Sequence, residues 1–289
     1  MEKARIAVIG GSGIYNIEEL KIIDEIKIKT PFGYPSDKIT IGRFPDSENI
    51  AFLPRHGIGH RFLPTEVNSK ANIWALKYIG VERIIGISAV GSLKEEIHPG
   101  DIVIPDQIID RTKSRPNSFF GDGIVGHIGF AEPFCPELRK IAIDTVKNLG
   151  YPLHTEGIYV CMEGPLFSTK AESNLYRSWG ASLIGMTVLP EAKMAREAEI
   201  CYVTIALPTD YDCWYEAHES VTVEMVIKQM QENIKKAKQV VKFMVTRIPK
   251  ERTCICKDAA ANAIMTDPKY IPKKVFKKLE LFYGKYIKL

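Results

Sequence analysis

The chain has 289 residues, a hydrophobic content of 45% and a net charge of +4, which suit a globular protein with a large core. No apolar run approaches the roughly 20 residues that a membrane-spanning helix needs, and the N-terminus lacks the form of a signal peptide, so we expect a cytoplasmic protein. Residues 267–289 carry seven lysines against two acids, which leaves the rest of the chain almost neutral. A neutral body without a reader motif argues against nucleic-acid binding.

Apolar runs alternate with helical patterns along the chain, and this alternation predicts an α/β fold with a central mixed β-sheet flanked by helices. A long irregular stretch, residues 112–128, interrupts the pattern and is typical of a functional loop. We expect one domain over residues 1–250 and a basic C-terminal extension over 251–289. The predicted strands cover residues 5–9, 39–43, 49–53, 83–87, 101–105, 157–162 and 200–207, and the predicted helices cover 64–78, 136–149, 169–179, 190–198 and 221–243.

Hydrogen-bond donors follow several of the predicted strands. In open α/β sheets, ligands bind beyond the carboxyl ends of the strands, so together these donors predict an oxyanion site. Taken singly, these donors have plainer interpretations: Arg55 could be a surface charge and His56 a loop histidine. The glycine-rich turn at residues 10–13 lacks the spacing of a dinucleotide fingerprint. The donors are Ser12, Arg55, His56, Ser88, Ala89 and Thr187.

A second group of residues carries hydrogen-bond acceptors. Asp210 and Asp212 follow the buried run 200–207, and Glu163 follows the run 157–162. The aspartates could be ordinary turn residues, but Met186 lies after another apolar run and would give their site an apolar wall. A phosphate pocket beside an apolar slot that ends in acids fits a phosphorylase acting on a nucleoside. A nucleotide-binding regulator without chemistry, which uses the turn at 10–13, is the alternative from another class.

The chain has six cysteines, and two of them form the tight motif Cys254-Ile255-Cys256. This spacing is shorter than that of ordinary zinc pairs, and no cluster shows metal-ligand spacing, so the sequence predicts no metal site. The abundance of Ile and Lys is typical of a thermophile, in which cytosolic disulfides occur. We therefore hypothesise a disulfide involving Cys254 or Cys256. In the extension, Val275, Leu279 and Phe282 recur at helical spacing and predict a solvated amphipathic helix.

Several motifs resemble the purine nucleoside phosphorylase family: GGSG (10–13), RHG (55–57), ANIWAL (71–76), GSLKEEIHPGD (91–101) and EGP (163–165). Two more, AEPFCP (131–136) and TDYDCW (209–214), resemble the branch that acts on S-methyl-5′-thioadenosine. The resemblance spans about residues 5–247. It implies a glycosyltransferase (pentosyltransferase) that uses phosphate to convert S-methyl-5′-thioadenosine to adenine and 5-methylthio-α-D-ribose 1-phosphate, in methionine and purine salvage. The alternative is a purine nucleoside phosphorylase of broader specificity towards adenosine, inosine or guanosine.

The resemblance also implies roles for single residues. Phosphate, a co-substrate of an enzyme without cofactors, would bind to Ser12, Arg55, His56, Ser88, Ala89 and Thr187. Met186 would lie under the ribose, while Asp210, the catalytic acid, would meet purine N7 and Asp212 the 6-amino group. The methylthio pocket would be lined by Phe167, Val223 and Val226, with His127 reaching in from a neighbouring subunit. The family forms homo-oligomers, either trimers or dimers of trimers.

The chemistry agrees with these roles. The glycosidic bond breaks through an oxocarbenium-like state, and negative charge builds on the leaving purine at N7. Asp210 can stabilise that charge only by donating a proton, so we expect it to be protonated during the reaction. A 6-amino group donates a hydrogen bond to a carboxylate, whereas a 6-oxo group would face an unpaired acid, and such sites discriminate strongly between substrates.

Overall fold

The computed structural model describes residues 2–11, 14, 17–215 and 223–288, and within the last range it describes side chains from residue 228 onward. In this part of the chain, eleven strands form one mixed sheet that six α-helices accompany. The predicted fold class, a mixed sheet flanked by helices, is therefore confirmed. No helix in these residues is both long enough and apolar enough to cross a membrane.

The strands and helices follow one another in the alternating order that the sequence predicts. The strands are β1 (Ile6–Gly10), β2 (Lys21–Ile26), β3 (Ile39–Arg43), β4 (Ile50–Pro54), β5 (Arg83–Ser92), β6 (Ile102–Val103), β7 (Gln107–Arg111), β8 (Leu153–His154), β9 (Ile158–Met162), β10 (Leu183–Gly185) and β11 (Cys201–Asp210). The helices are α1 (Ser69–Tyr78), α2 (Pro136–Asn148), α3 (Lys170–Ser178), α4 (Glu191–Glu197), α5 (Val223–Val245) and α6 (Lys273–Tyr283).

Strand β5 is the point at which the sheet branches. Its first part pairs in parallel with β1 on one side and with β11 on the other. Its last two residues, Gly91 and Ser92, pair with the antiparallel strand β10, and Gly91 also pairs with Asp210 of β11. From β1 the sheet continues through β4 and β3 to β2, and from β10 it continues through β9 to β7. The ends of β1, β4, β10 and β11 therefore converge around the second half of β5.

The buried strands are the ones that the sequence predicts well. β1 and β4 are buried throughout, and β11 is buried up to Pro208, as expected for strands that are covered on both faces. Four strands were missed. β8 and β10 are only two and three residues long, whereas β2 and β7 carry exposed charged residues and lie at the two ends of the main strand path. Charged residues are typical of edge strands but weaken the apolar pattern from which a strand is predicted.

Helix α1 begins at Ser69, five residues later than predicted. Asn68 caps it, because the Asn68 side chain accepts a hydrogen bond from the Ala71 backbone N–H at 3.1 Å. Asn is a strong N-cap residue, and the residues from Pro64 to Asn68 form a turn before the helix. The helix therefore begins after this turn and not at Pro64.

The C-terminal extension packs against the body of the protein. The predicted amphipathic helix is present as α6, but its apolar face is not solvated, because Leu279 and Phe282 are buried in the main core. The Phe282 ring lies 4.6 Å from that of Phe119, and the Tyr283 ring stacks on Phe120 at 5.1 Å. Phe119 and Phe120 belong to the loop 112–128, so the extension anchors that loop. The division at residue 250 stays a prediction.

The extension also pairs with the loop through its backbone. The His127 N–H donates to the Ala263 carbonyl at 2.8 Å, and the Met265 N–H donates to the Val125 carbonyl at 2.9 Å. The position of His127 in space is therefore fixed by residues of the C-terminal extension, which lies outside the family motifs.

We predict that Phe282→Ala lowers the free energy of unfolding by about 3–5 kcal/mol, because it leaves a cavity between α6 and the loop. The matched control is Leu281→Ala: Leu281 is 36% exposed against 3% for Phe282, and we expect a loss of about 1 kcal/mol or less. Urea unfolding of both variants measures the difference. Equal losses would show that α6 does not dock through this face.

Candidate active site

Arg55 lies at the centre of the candidate anion site, at the end of β4. Its Nε and Nη2 groups donate to the buried carboxylate of Glu191. Its Nη1 donates to the Ile87 carbonyl at 2.8 Å, and Nη2 also donates to the Ile9 carbonyl at 3.3 Å. The guanidinium therefore binds the carboxyl end of β1 and the middle of β5 at once, and of its five N–H groups one on Nη1 remains for a ligand.

Glu191 was not singled out from the sequence. It is the first residue of α4, where an acidic residue is ordinary, so its role had no signal in the pattern. Burial disfavours the charge on Arg55, but the Glu191 carboxylate raises the pKa of the Arg55 guanidinium above its ordinary value. Arg55 thus stays cationic in a buried position, and loss of either partner would leave an uncompensated charge, at a cost of about 3–5 kcal/mol.

His56 is a neutral imidazole in this site. Burial and then the neighbouring Arg55 charge lower the pKa of His56 to about 4. Its Nδ1 lies 2.8 Å from the Phe62 carbonyl, and a carbonyl can only accept, so Nδ1 carries the hydrogen and Nε2 carries a lone pair. His56 can therefore accept a hydrogen bond or a proton from an oxyanion that still has an O–H group.

Three hydroxyl groups meet beside these two residues. The Ser88 Oγ lies 2.9 Å from the Thr187 Oγ1 and 2.9 Å from the Tyr159 Oη. Burial raises the pKa of Tyr159 to about 12, so its phenol is neutral. Tyr159 was missed, because within the apolar run of β9 it looks like a core residue. Ala89 follows Ser88 and is exposed, whereas Ser12 lies outside the described residues.

The two aspartates lie at the end of β11. The Asp210 carboxylate accepts hydrogen bonds from the Thr209 hydroxyl at 2.7 Å and from the Asp212 backbone N–H at 2.8 Å. Burial raises the pKa of Asp212, and the Asp210 charge acts in the same direction. A Cβ added to Gly91 would lie 3.2 Å from Asp210 Oδ1, so the absence of a side chain there allows the acid to pack directly on β5.

The matching family model is described as the phosphorylase superfamily, and it covers residues 5–246. The chain belongs to the phosphorylase superfamily. An S-methyl-5′-thioadenosine phosphorylase of Geobacter sulfurreducens is 53% identical, covering 98% of this chain and 99% of its own length. The enzyme of that name from Thermococcus kodakarensis is 52% identical, covering 88% of this chain and 96% of its own.

Solved structures give the same relationship in three dimensions. A methylthioadenosine phosphorylase from an Antarctic soil metagenomic library superposes with a TM-score of 0.93 at 45% identity, covering 98% of this chain and 99% of that one. The methylthioadenosine phosphorylase of Schistosoma mansoni, solved in complex with adenine, gives a TM-score of 0.81 at 33% identity, covering 99% and 100%.

Arg115 connects the long loop of this superfamily member to the site. Its guanidinium donates to the carbonyls of Met186, Leu189, Met162 and Glu163, which lie just after β10 or at the end of β9. The Glu163 carboxylate accepts from the backbone N–H groups of Lys113 and Ser114. Glu163 is therefore an acceptor, as expected, but its hydrogen-bond donors belong to the loop. Arg115, which the sequence analysis passed over, holds the segment that carries Met186 and Thr187.

The residues expected to surround the ribose and the methylthio group do not form one compact cluster among the described side chains. Met186 packs on Gly164, because a Cβ at Gly164 would lie 2.5 Å from the Met186 sulfur. Phe167 is 83% exposed, and His127 is also exposed. Val223 and Val226 lie at the start of α5, but their side chains are outside the described residues. The described side chains of a single chain therefore do not enclose a pocket for the methylthio group.

We predict that the neutral state of His56 makes stability depend on pH. The folded-state pKa of about 4 lies below the ordinary value of 6.5, so the unfolded chain binds more protons between these values and acid favours unfolding. Relative to His56→Gln, the wild type should lose about 2 kcal/mol of unfolding free energy from pH 7 to pH 4, allowing for partial solvent screening. Urea unfolding across this range tests the prediction, and a difference that does not change with pH would contradict it.

Proposed function

We infer that this protein is an S-methyl-5′-thioadenosine phosphorylase, which converts S-methyl-5′-thioadenosine and phosphate to adenine and 5-methylthio-α-D-ribose 1-phosphate. Relatives of that name are about half identical to it over nearly the whole chain, and solved structures of that name share its fold. The enzyme is a pentosyltransferase, and no observation favours the broader specificity of the alternative.

The observation that carries this function is the spacing of two sites along β5. Ser88 belongs to the hydroxyl and guanidinium group, and Gly91, three residues later, contacts Asp210. Three residues of strand span about 10 Å, which leaves room for a pentose between an anion and a purine. Donors on one side and acids on the other are what phosphorolysis of a nucleoside requires.

The proposed phosphate residues are Ser12, Arg55, His56, Ser88, Ala89 and Thr187. Arg55 supplies the positive charge, the hydroxyls supply neutral donors, and His56 accepts the proton of a phosphate O–H group. A phosphate oxygen then forms the bond to C1′ as the bond from C1′ to purine N9 breaks. The electron pair passes to the purine, where Asp210 donates a proton at N7.

Asp212 is proposed to select the base. Asp212 would accept a hydrogen bond from the 6-amino group while Asp210 donates to N7. A 6-oxopurine offers no donor at that position and would leave a buried acceptor unpaired. Met186 would lie under the ribose, and Phe167, Val223 and Val226 would surround the methylthio group.

We predict that Asp210→Asn lowers kcat by roughly 10²- to 10⁴-fold, as expected for loss of a general acid. The matched control is Asp144→Asn: Asp144 is exposed on α2, and we expect wild-type turnover. Adenine release from S-methyl-5′-thioadenosine should also require phosphate.

Three results would contradict this function. They are adenine release at the same rate without phosphate, faster turnover of inosine than of S-methyl-5′-thioadenosine, and full activity in Asp210→Asn. The first would indicate a hydrolase, the second the broader nucleoside phosphorylase, and the third a base held without acid catalysis.

We further propose that the active unit is a homo-oligomer, a trimer or a dimer of trimers, with inorganic phosphate as co-substrate and no cofactor. Leu166 and Phe167 are 82% and 83% exposed, and adjacent apolar side chains of this size favour contact with another chain. The exposed His127 would then complete the methylthio pocket of a neighbour. Roles in methionine and purine salvage, a cytoplasmic location and a thermophilic source stay predictions from the sequence.

A mixing experiment tests the shared site. Asp210→Asn and His127→Ala chains are each expected to be impaired, and co-expression should restore activity. A His127→Ala chain has an intact Asp210 and can receive His127 from its Asp210→Asn neighbour in a rotationally symmetric ring. Phosphorolysis is measured on purified mixed oligomers that carry two different affinity tags.

The control is a mixture of Asp210→Asn and Asp212→Asn chains, which should not recover, because both changes affect the same site. Mixed oligomers that show no gain over the two separate variants would contradict a His127 contribution between subunits.

A further inference from the structure

Four of the six cysteines converge at one place in the fold, outside the candidate active site. The sulfur atoms of Cys135, Cys201, Cys254 and Cys256 all lie within 4.8 Å of one another. All four residues are buried, with exposures of 1%, 0%, 7% and 0%. They come from three separate segments of the chain, which is why the sequence showed no cluster with ligand spacing.

Two of the thiols are fixed by the main fold. Cys135 directly precedes α2, and its backbone N–H donates to the Tyr202 carbonyl at 2.8 Å. Cys201 is the first residue of β11, and its N–H donates to the Glu82 carbonyl at 2.9 Å. Both positions are therefore set by the helix and the sheet, independently of any bond between sulfurs.

The other two thiols come from the motif Cys254-Ile255-Cys256. Cys254 directly precedes a short 3₁₀ helix, Ile255–Asp258, in which Cys256 is the second residue. Ile255 is 68% exposed, while the cysteines on either side of it are buried. The tight spacing therefore turns both sulfurs inward, towards Cys135 and Cys201.

The distances suit a metal ion better than a disulfide. All six cysteines are free thiols in the structure, so the disulfide expected from the sequence is not confirmed. The sulfurs of Cys201 and Cys254 lie 3.3 Å apart, against about 2.05 Å in a disulfide bond. A zinc ion with four sulfurs at about 2.3 Å separates them by about 3.8 Å along each edge of the tetrahedron.

A buried positive charge lies on the same side of the sheet. Arg83 of β5 is paired with Cys201 of β11, so the two side chains leave the sheet on one face. Arg83 is completely buried, and its Nε has no hydrogen-bond partner in the described residues. Its Nη2 donates at 2.7 Å to the carbonyl of Glu251, shortly before Cys254. The guanidinium also pairs with the carboxylates of Glu82 and Glu137, at 3.3 and 3.7 Å, so Arg83 holds the segment before Cys254 in place and its charge is shared with these acids.

We propose that Cys135, Cys201, Cys254 and Cys256 bind one structural zinc ion per chain. Four thiols lose four protons and Zn²⁺ accepts four thiolates, which leaves a site of net charge −2. All four positions are taken by protein sulfur, the closed arrangement of structural rather than catalytic zinc. The ion joins the segment that follows α5 to the starts of α2 and β11, and so fixes the origin of the C-terminal extension.

The test uses the full-length protein, purified without chelators. Inductively coupled plasma mass spectrometry should find about one zinc ion per chain. With denaturant and chelator but no reductant, all six thiols should react. Chelator-stripped, reduced protein should bind cobalt(II) and gain the absorption of thiolate-to-cobalt charge transfer.

Matched variants locate the site. Cys256→Ser should lower zinc affinity more than tenfold, since loss of a ligand has at least the effect of losing an outer-shell partner, which is about 10- to 100-fold. Cys161→Ala is the control: Cys161 is also a buried thiol, but it lies in β9 outside the cluster, and its zinc content should equal that of the wild type.

Three results would overturn the proposal. One is wild-type protein that contains little zinc and does not bind cobalt after reduction. Another is fewer than six reactive thiols in the isolated protein, which would indicate disulfides among the four cysteines. The third is stoichiometric iron in place of zinc, because tetrahedral sulfur sites also accept iron. The wild-type measurements decide the matter even if Cys256→Ser fails to fold.

Discussion

The ion pair between Arg55 and Glu191 is the interaction on which the candidate site depends. Both side chains are buried, and the guanidinium also binds a carbonyl near the end of β1 and one in the middle of β5. A buried charge is tolerable only when it is paired and hydrogen-bonded. Arg55 therefore fixes the start of α4 against the sheet, and it does so while keeping a positive charge beside the hydroxyls of Ser88 and Thr187.

Strand β5 converts this local arrangement into a reaction site. It is the one strand in the described sheet that pairs with β1, β10 and β11, so it carries residues next to both groups of functional side chains. Ser88 faces the donors and Gly91 contacts the acid. Because the two positions belong to one continuous strand, their separation is set by backbone geometry rather than by the conformation of a loop.

The C-terminal extension supports the loop rather than the chemistry. Arg115 binds the loop to the ends of β9 and β10, and α6 holds it from outside through Phe119 and Phe120. The C-terminal extension thus influences the exposed His127 without contributing to the Arg55 or Asp210 groups. A metal ion at the four cysteines would strengthen this support at the point where the extension leaves α5.

The sequence by itself determined the alternation of strands and helices, the donors that follow the apolar runs 49–53, 83–87 and 183–186, and the aspartate pair that follows the run 200–207. These features are local, since each depends on a run of apolar residues and on the few polar residues that follow it. It also carried the family resemblance, because the long motifs are contiguous. The edge strands β2 and β7 were missed since their exposed residues do not alternate clearly.

Only the tertiary structure decided which distant residues meet. Glu191, Tyr159 and Arg115 have no distinctive neighbours in the sequence, and their roles arise when α4, β9 and the loop reach the same end of the sheet. The same holds for the four cysteines, which three separate segments bring together. Contacts between segments far apart in the chain follow from sheet order and packing, and a periodic pattern read along one segment contains no information about either.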